Sequence, residues 1–350
     1  MFAYLSKTYL KFFFLTLISL ELIYTILDFL QNQHRVPSSA NMQTLYVFYS
    51  SLNALNYVVP ISILLAFIIT SYSLLKTNRL IAFSTLGYSK KDIMKPFLLV
   101  GFIITLMYTA LNFTQLAYAK DRAEAIKDGR YFSSSKEDIF LKHNNSYIYF
   151  EKIEPVQKNA LNIKIYNFSD NGSLLSTLWA KSGRFVDGVW ILDDVDITKT
   201  TDLKDSPISK EHQDSIKTLE GFEPKILNRI FEKNLTLSVF DAISTIKLFG
   251  SDNQDLGKIK TILYYQLFFP FFAPFLMAII FFYTPLLPRY SNLNLVVFLQ
   301  LLLTLSTWGV LFSLANLGMN LLIPPEIAVI LPIGAIFILA VIYYNRLEKT

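Results

Sequence analysis

Long apolar runs alternate with polar stretches along this chain. Six of the runs, Tyr9–Leu30, Leu52–Leu75, Pro96–Ala119, Ile262–Leu287, Leu293–Ala315 and Ile323–Tyr344, are long enough to cross a bilayer as helices, which takes about 20 predominantly apolar residues. Three precede and three follow a polar middle section. A signal peptide is the competing reading of the first run, but its apolar stretch is long and lacks a small-residue cleavage site, which predicts a retained helix. In the middle section the period drops to two. Ser146–Ile153 is dense in Tyr, Ile and Phe, Leu161–Phe168 alternates, and Leu174–Ala180 follows a turn at Asp170–Gly172. Val189–Lys199 alternates most clearly, with Val189, Ile191, Val195 and Ile197 on one side and Asp194 and Asp196 on the other. Short strands separated by Asn/Asp/Gly turns predict an antiparallel sandwich or jelly roll. Asp202–Gln213 reads as a polar loop, and Ser238–Phe249 as a short helix, with Ser238 and Asp241 as a capping-type start.

The pattern therefore predicts a membrane helical bundle of six spans with an inserted all-β, jelly-roll-like domain. The divisions fall at 1–119, 120–257 and 258–350, with the short helix at 238–249 in the middle part. Composition agrees, since 53% of the 350 residues are hydrophobic, too many for an ordinary soluble domain. Charge then orients the bundle. Lys7, Lys11, Lys76, Arg79, Lys90, Lys91, Lys95, Arg289, Arg346 and Lys349 fall in short segments on one side, against Arg35 alone on the other. The positive-inside rule places both termini in the cytoplasm and the middle section outside. The net charge of +5 thus reflects membrane orientation rather than a nucleic-acid surface.

One short loop stands out. Between Lys76 and Lys95, residues 77–87 form an amphipathic segment in which Leu80, Ile81, Phe83, Ser84 and Leu86 cluster, and Gly87 is placed to close the turn as a C-cap. A helix lying at the inner face between two spans is what a permease offers to a cytoplasmic motor.

The chain offers little chemistry of its own. It has no cysteine and three scattered histidines, His34, His143 and His212, so neither thiolate chemistry nor a metal site is expected. Gly250–Lys258 is a near miss for a phosphate loop, with six residues between its glycines and Ile259 where a magnesium-binding Ser or Thr belongs. Glu21 and Asp28 are acids within the first predicted span, two helical turns apart on one face with Thr25 between them. Such acids usually face protein or water. Glu21 reads equally as a structural partner in the bundle or a gating group, and Asp28 leans towards a simple interfacial position. His34 and Arg35 follow at the outer headgroup level, as snorkelling anchors or as contacts for a phosphorylated lipid. The run Tyr147–Phe150 is apolar on both faces. It reads as a strand buried twice, or as one whose second face, carrying Ile148 and Phe150, meets a lipid chain. Pro270 and Pro274 predict a kinked fourth span.

Three blocks resemble the LptF/LptG permeases of the lipopolysaccharide exporter, most closely the LptG type. NRLIAFSTLGYSKKDI, with Gly87, Tyr88 and Ser89, is similar to the family's coupling helix. LSVFDAISTIKLFGSDNQDLGKIKTILYYQLFFPF resembles its entry into the fourth span, and IPPEIAVILPIGAIFILAVIYYNR its last span. The resemblance implies an inner-membrane subunit with no enzymatic activity or cofactor of its own. It implies pairing with a second, similar permease over a cytoplasmic ATPase dimer, which binds the ATP and magnesium. Lipopolysaccharide would enter a cavity gated by the first and fifth spans and pass through a periplasmic jelly roll to a bridge protein. Arg79, Leu80, Phe83, Leu86 and Gly87 would carry the ATPase contact, and Glu21, Asp28, His34, Arg35, Ile148 and Phe150 the lipid contacts. Arg79 departs from the family, which places Glu there. Thr25, Gln31 and Asn32 stand where LptG-type chains carry lysines. The rival readings are a mechanotransmission permease and a membrane-bound lipid-modifying enzyme.

Overall fold

The computed structural model describes residues 1–129, 136–143, 146–154, 158–169, 173–186, 188–199, 209–219, 236–249, 256–285 and 292–347. It divides into a helical unit, Met1–Asp128 with Thr236–Thr350, and a β unit, Gly129–Leu235. The six predicted spans are present as helices long and apolar enough to cross a membrane. In chain order the helical unit holds α1 (Phe2–Asn32), α2 (Ala40–Lys76), the seven-residue α3 (Arg79–Thr85), α4 (Lys90–Leu111) and α5 (Ala119–Lys127). After the β unit come α6 (Val239–Phe249), α7 (Leu256–Phe268), α8 (Phe272–Phe282), α9 (Leu293–Met319) and α10 (Leu331–Arg346), which a π turn at Glu326–Ile330 introduces.

Packing centres on α2. Its most apolar window is 72% buried, against 11% for α1 and 17% for α9. Ile63, Leu64, Ala66 and Phe67 of α2 are sealed among Leu5 and Tyr9 of α1, Phe97 of α4 and Phe272, Met277 and Phe281 of α8. The rings interlock edge to face, Phe67 on Phe97 at 5.4 Å and on Phe281 at 6.0 Å. Tyr9 donates to the Ile63 carbonyl at 3.0 Å, so its buried hydroxyl is not left without an acceptor.

The fourth span breaks where its prolines predict. A 3-10 turn at Phe269–Phe271 separates α7 from α8. Pro270 has no N–H, which leaves the carbonyl of Gln266 without its helical donor. Asn112, 2% exposed at the end of α4, donates its side-chain amide to that carbonyl at 3.4 Å. The Asn112 carbonyl in turn accepts from Val239 N–H at 3.2 Å, and the Gln266 side chain donates to the Leu237 carbonyl at 2.6 Å. This knot moves the predicted domain boundaries. The third span stops at Leu111, and α5 packs back on α2, with the Arg122 guanidinium over Tyr49. Tyr118 donates to Asp241 and Thr236 to Asp121, which ties α6 into the helical unit rather than the β unit. The predicted cap is present, with Asp241 N–H donating to the Ser238 hydroxyl at 3.2 Å.

The β unit is one antiparallel sheet in the order β1 (Lys136–His143), β2 (Ser146–Glu154), β3 (Asn159–Phe168), β4 (Leu174–Val186), β5 (Val189–Lys199), β6 (Ser209–Thr218). Each strand pairs with its sequence neighbour, so the described strands form a meander without the crossover connections of a jelly roll. β6 replaces the second half of the predicted loop. Its sequence SKEHQDSIKT shows little alternation, and backbone pairing to β5 holds it. In β5 the predicted face holds at Val195, which is buried, and at Ile197, which packs against the core, but its first half is corrected: Trp190 and Leu192 are buried there rather than Val189 and Ile191. Asp194, at φ 59°, stands between Leu192 and Val195, where the inward positions change parity while the pairing register to β4 and β6 is kept.

Ring contacts show how the apolar face is covered. Phe150 on β2 and Trp190 on β5 lie 5.4 Å apart although two strands separate theirs. In a flat sheet that separation is about 14 Å, from the ~4.8 Å strand spacing. The sheet therefore coils and closes its apolar face on itself. Gly183 on β4 makes room for this, since a Cβ there would stand 2.6 Å from Ile163 Cδ1 and 2.8 Å from Leu192 Cδ2.

Two expectations follow. Asn112→Leu should lower the thermal midpoint of the detergent-solubilised protein, at a cost of about 1–3 kcal/mol for the orphaned Gln266 carbonyl; an unchanged midpoint would mean that water satisfies the Pro270 break. Gly183→Val should cost about 1–3 kcal/mol by overpacking, read as faster amide exchange across β3–β5 with the helical spans unaffected.

Candidate functional site

Three places hold the residues that the sequence singles out. The first is α3. Its end is a Schellman closure, in which Gly87 N–H donates to the Ser84 carbonyl at 3.0 Å and Tyr88 N–H to the Phe83 carbonyl at 3.2 Å. Gly87 sits at φ 89°, where a side chain would be strained, which is why glycine closes this turn. Ser89 and Asp92 form a reciprocal capping box that starts α4 at once. Lys90 then donates to the carbonyl of Phe282, the last residue of α8, at 3.0 Å.

The predicted cluster on α3 divides between two sides. Leu80 is 1% exposed inside the bundle core, and Phe83 packs against that core. Arg79 lies with its guanidinium over the Tyr4 ring of α1, 5.3 Å from the centroid. The outward side is carried by Leu86, 72% exposed, with Gly87 and the half-exposed Tyr88. Leu80 and Phe83 thus hold the helix down, while Leu86 is free to meet something else.

The second place is the α1–α2 contact. Asp28 accepts from Tyr46 at 2.6 Å, from Ser50 at 2.5 Å and from Asn32 at 3.2 Å. Glu21 accepts from Ser51 at 2.9 Å, while its other oxygen is buried without a protein donor, as is the Thr25 hydroxyl. The two acids share a face, as their spacing requires, and that face is turned to α2. Asp28 is therefore a structural partner within the bundle rather than a free interfacial group. Neither the matching hydroxyls on α2 nor Tyr4 stood out in the sequence, and Lys90 counted there only as one of the orienting charges. The signal was present in Tyr46 and Ser50, four apart on one side of α2 opposite an acid. His34 and Arg35 lie past the end of α1. His34 is exposed, and Arg35 pairs with Asp128 at 3.1 Å, an open contact that stabilises little.

The third place is the coiled face of the β unit. Ile148 and Phe150 are fully buried there with Ile163, Ile165, Ala180 and Val195, and Tyr147 and Tyr149 are half-buried on the opposite face. Tyr147 stacks on Phe140 at 5.6 Å. The strand's apolar lining thus points into the fold of the sheet, while its other face is only partly covered, Phe140 itself being 51% exposed.

The family model for the lipopolysaccharide export system permease LptF/LptG matches residues 3–346. The chain belongs to that family. No individually curated protein matches it. The LptF/LptG family is the permease component of the lipopolysaccharide exporter, which accords with six apolar spans and an inserted β unit in a multi-pass membrane protein.

The Asp28 contacts generate a test. Asp28→Ala should weaken the α1–α2 contact by about 1–3 kcal/mol, because Tyr46 and Ser50 lose their acceptor. Tyr46→Phe added to that variant should cost little more, and simple additivity in this double-mutant cycle would show that the two side chains do not interact.

Proposed function

We propose that this chain is one half of a paired LptF/LptG-type permease, driven by a separate cytoplasmic ATPase and moving lipopolysaccharide out of the inner membrane. The observation that carries the reading is the family match across residues 3–346, which spans both helical halves and the β unit between them. Both termini lie in the cytoplasm and the β unit in the periplasm, a topology supported by the basic residues around α3 and at both ends of the chain. ATP and magnesium bind to the ATPase. The outward side of α3, at Leu86, Gly87 and Tyr88, is its docking surface, and Leu80 and Phe83 set the height of that surface.

Lipid follows the family's route, past the first and fifth spans, α1 and α9, and then to the β unit and a bridge protein. The exposed apolar faces of α1 and α9 suit lipid or a second permease, since Ile18, Leu22, Ile26, Leu295, Leu299 and Leu302 are all more than half exposed. Acyl chains would occupy the space between Phe150 and Trp190, where a coiled sheet can open without breaking its ladder. Among candidates for the lipid headgroup, Arg35 would have to exchange its Asp128 carboxylate for a lipid phosphate.

Leu86→Asp should release the ATPase while the six-span protein remains inserted, because a charge placed in a desolvated contact is costly. Full co-purification of the ATPase with that variant would put docking elsewhere. A photo-crosslinker at Phe150 should capture lipopolysaccharide only when ATP and the partner subunits are present. Capture without ATP would indicate passive adhesion, and no capture at any inward strand position would favour a mechanotransmission permease.

A further inference from the structure

The contacts between α3 and α1 point beyond docking. Arg79 and Phe83 are four residues apart, on one side of α3. Both meet the same side chain of α1. The Tyr4 ring takes the Arg79 guanidinium on its face at 5.3 Å and the Phe83 ring at 6.3 Å with the planes tilted by 52°. Leu5, the next residue, is fully buried in the bundle, and so is Leu80, between the two α3 contacts. The start of α1 is therefore gripped by α3, although α1 is the least buried of the six spans.

Beyond that grip α1 is built as a stiff rod. Its 31 residues contain neither proline nor glycine, and sharp kinks in long helices arise almost always at such residues or at a π bulge. A displacement at Tyr4 thus reaches the far half of the same helix, where Glu21 and Asp28 hold it to Ser51, Tyr46 and Ser50. Besides those hydrogen bonds, that half rests on two ring contacts to α2, Tyr24 on Tyr57 at 6.0 Å and Phe29 on Tyr46 at 6.4 Å, and a tilt of α1 lengthens all of them.

We propose that Tyr4 is the positioning residue through which α3 moves α1, so that ATP-driven motion of the surface helix is converted into separation of α1 from α2. This rests on the reading that an ATPase docks at Leu86–Tyr88. It assigns Arg79 a role towards its own chain: the guanidinium stacks on the Tyr4 ring and carries the motion inward. The hydroxyl of Tyr4 has no part in the link, whereas the ring is required, since both the cation–π and the ring–ring contact use it.

The test uses the complete exporter complex in lipid nanodiscs, with its ATPase, lipopolysaccharide and ATP. The chain has no cysteine, so Ile18→Cys and Ile69→Cys, both at exposed positions, allow spin labels on α1 and α2. In the parent complex the label separation changes on ATP binding. In Tyr4→Ala the ATPase should remain bound and hydrolyse ATP, the change in separation should vanish, and lipid released per ATP should fall at least about fivefold, the scale of a lost stacked pair. Tyr4→Phe should restore both readouts. Three results would overturn the proposal: an unchanged separation signal in Tyr4→Ala, loss of the ATPase from that variant, or equal damage in Tyr4→Phe. A parent complex that binds no ATPase would instead defeat the functional reading on which the proposal rests.

Discussion

Carboxylates inside an apolar helix must be met by donors, and α2 supplies them. Asp28 and Glu21 lie on the face of α1 that meets Tyr46, Ser50 and Ser51. An unpaired carboxylate at this depth would be expensive, so the register of α1 on α2 is set by where those hydroxyls fall. Van der Waals packing alone fixes register poorly between two long apolar helices, because sliding exchanges one apolar contact for another. Polar bonds make one alignment preferable. With α1 aligned, Tyr4 reaches α3 and Tyr9 reaches the carbonyl of Ile63.

The same economy governs the middle of the bundle. Pro270 breaks the fourth span and frees a carbonyl, Asn112 meets it, and the backbone of Asn112 then receives Val239. One unsatisfied acceptor thus decides where α4 ends and where α6 rests. It accounts for why the helical unit extends to Asp128 and resumes at Thr236, beyond the limits of the apolar runs. Hydropathy marks where a chain can enter lipid, whereas the ends of elements are set by hydrogen-bonding groups that need partners.

The spans were legible because an apolar run of about 20 residues suits little besides a helix crossing a bilayer. The Gly87 turn was legible because a left-handed position after an amphipathic segment favours glycine. The capped start of α6 could be read for the same kind of local reason. What the sequence hid was non-local. The division of α3 into a gripping side and an outward side depends on Tyr4, far away in sequence, and helical spacing alone grouped Leu80 with Leu86. β6 was hidden because its ladder to β5 is backbone pairing and its side-chain contacts, Ile216 on the core, His212 with Asp196 and Glu211 with Lys199, follow no apolar alternation. The first half of β5 was misread because the alternation changes parity at Asp194, and Asp tolerates that backbone well enough to leave no mark in the pattern.

Coiling gives the β unit a property that flat pairing would lack. A flat meander would expose one apolar face and invite edge or face association. Closing Phe150 onto Trp190 hides that face, and the hiding depends on side-chain contacts across strands that share no backbone bonds. Those contacts are separate from the ladder bonds, so the burial they supply adds to the backbone pairing. A guest with acyl chains would return that burial. If acyl chains enter the β unit as proposed, the energy of opening and the energy of filling would be of the same kind, both set by apolar burial.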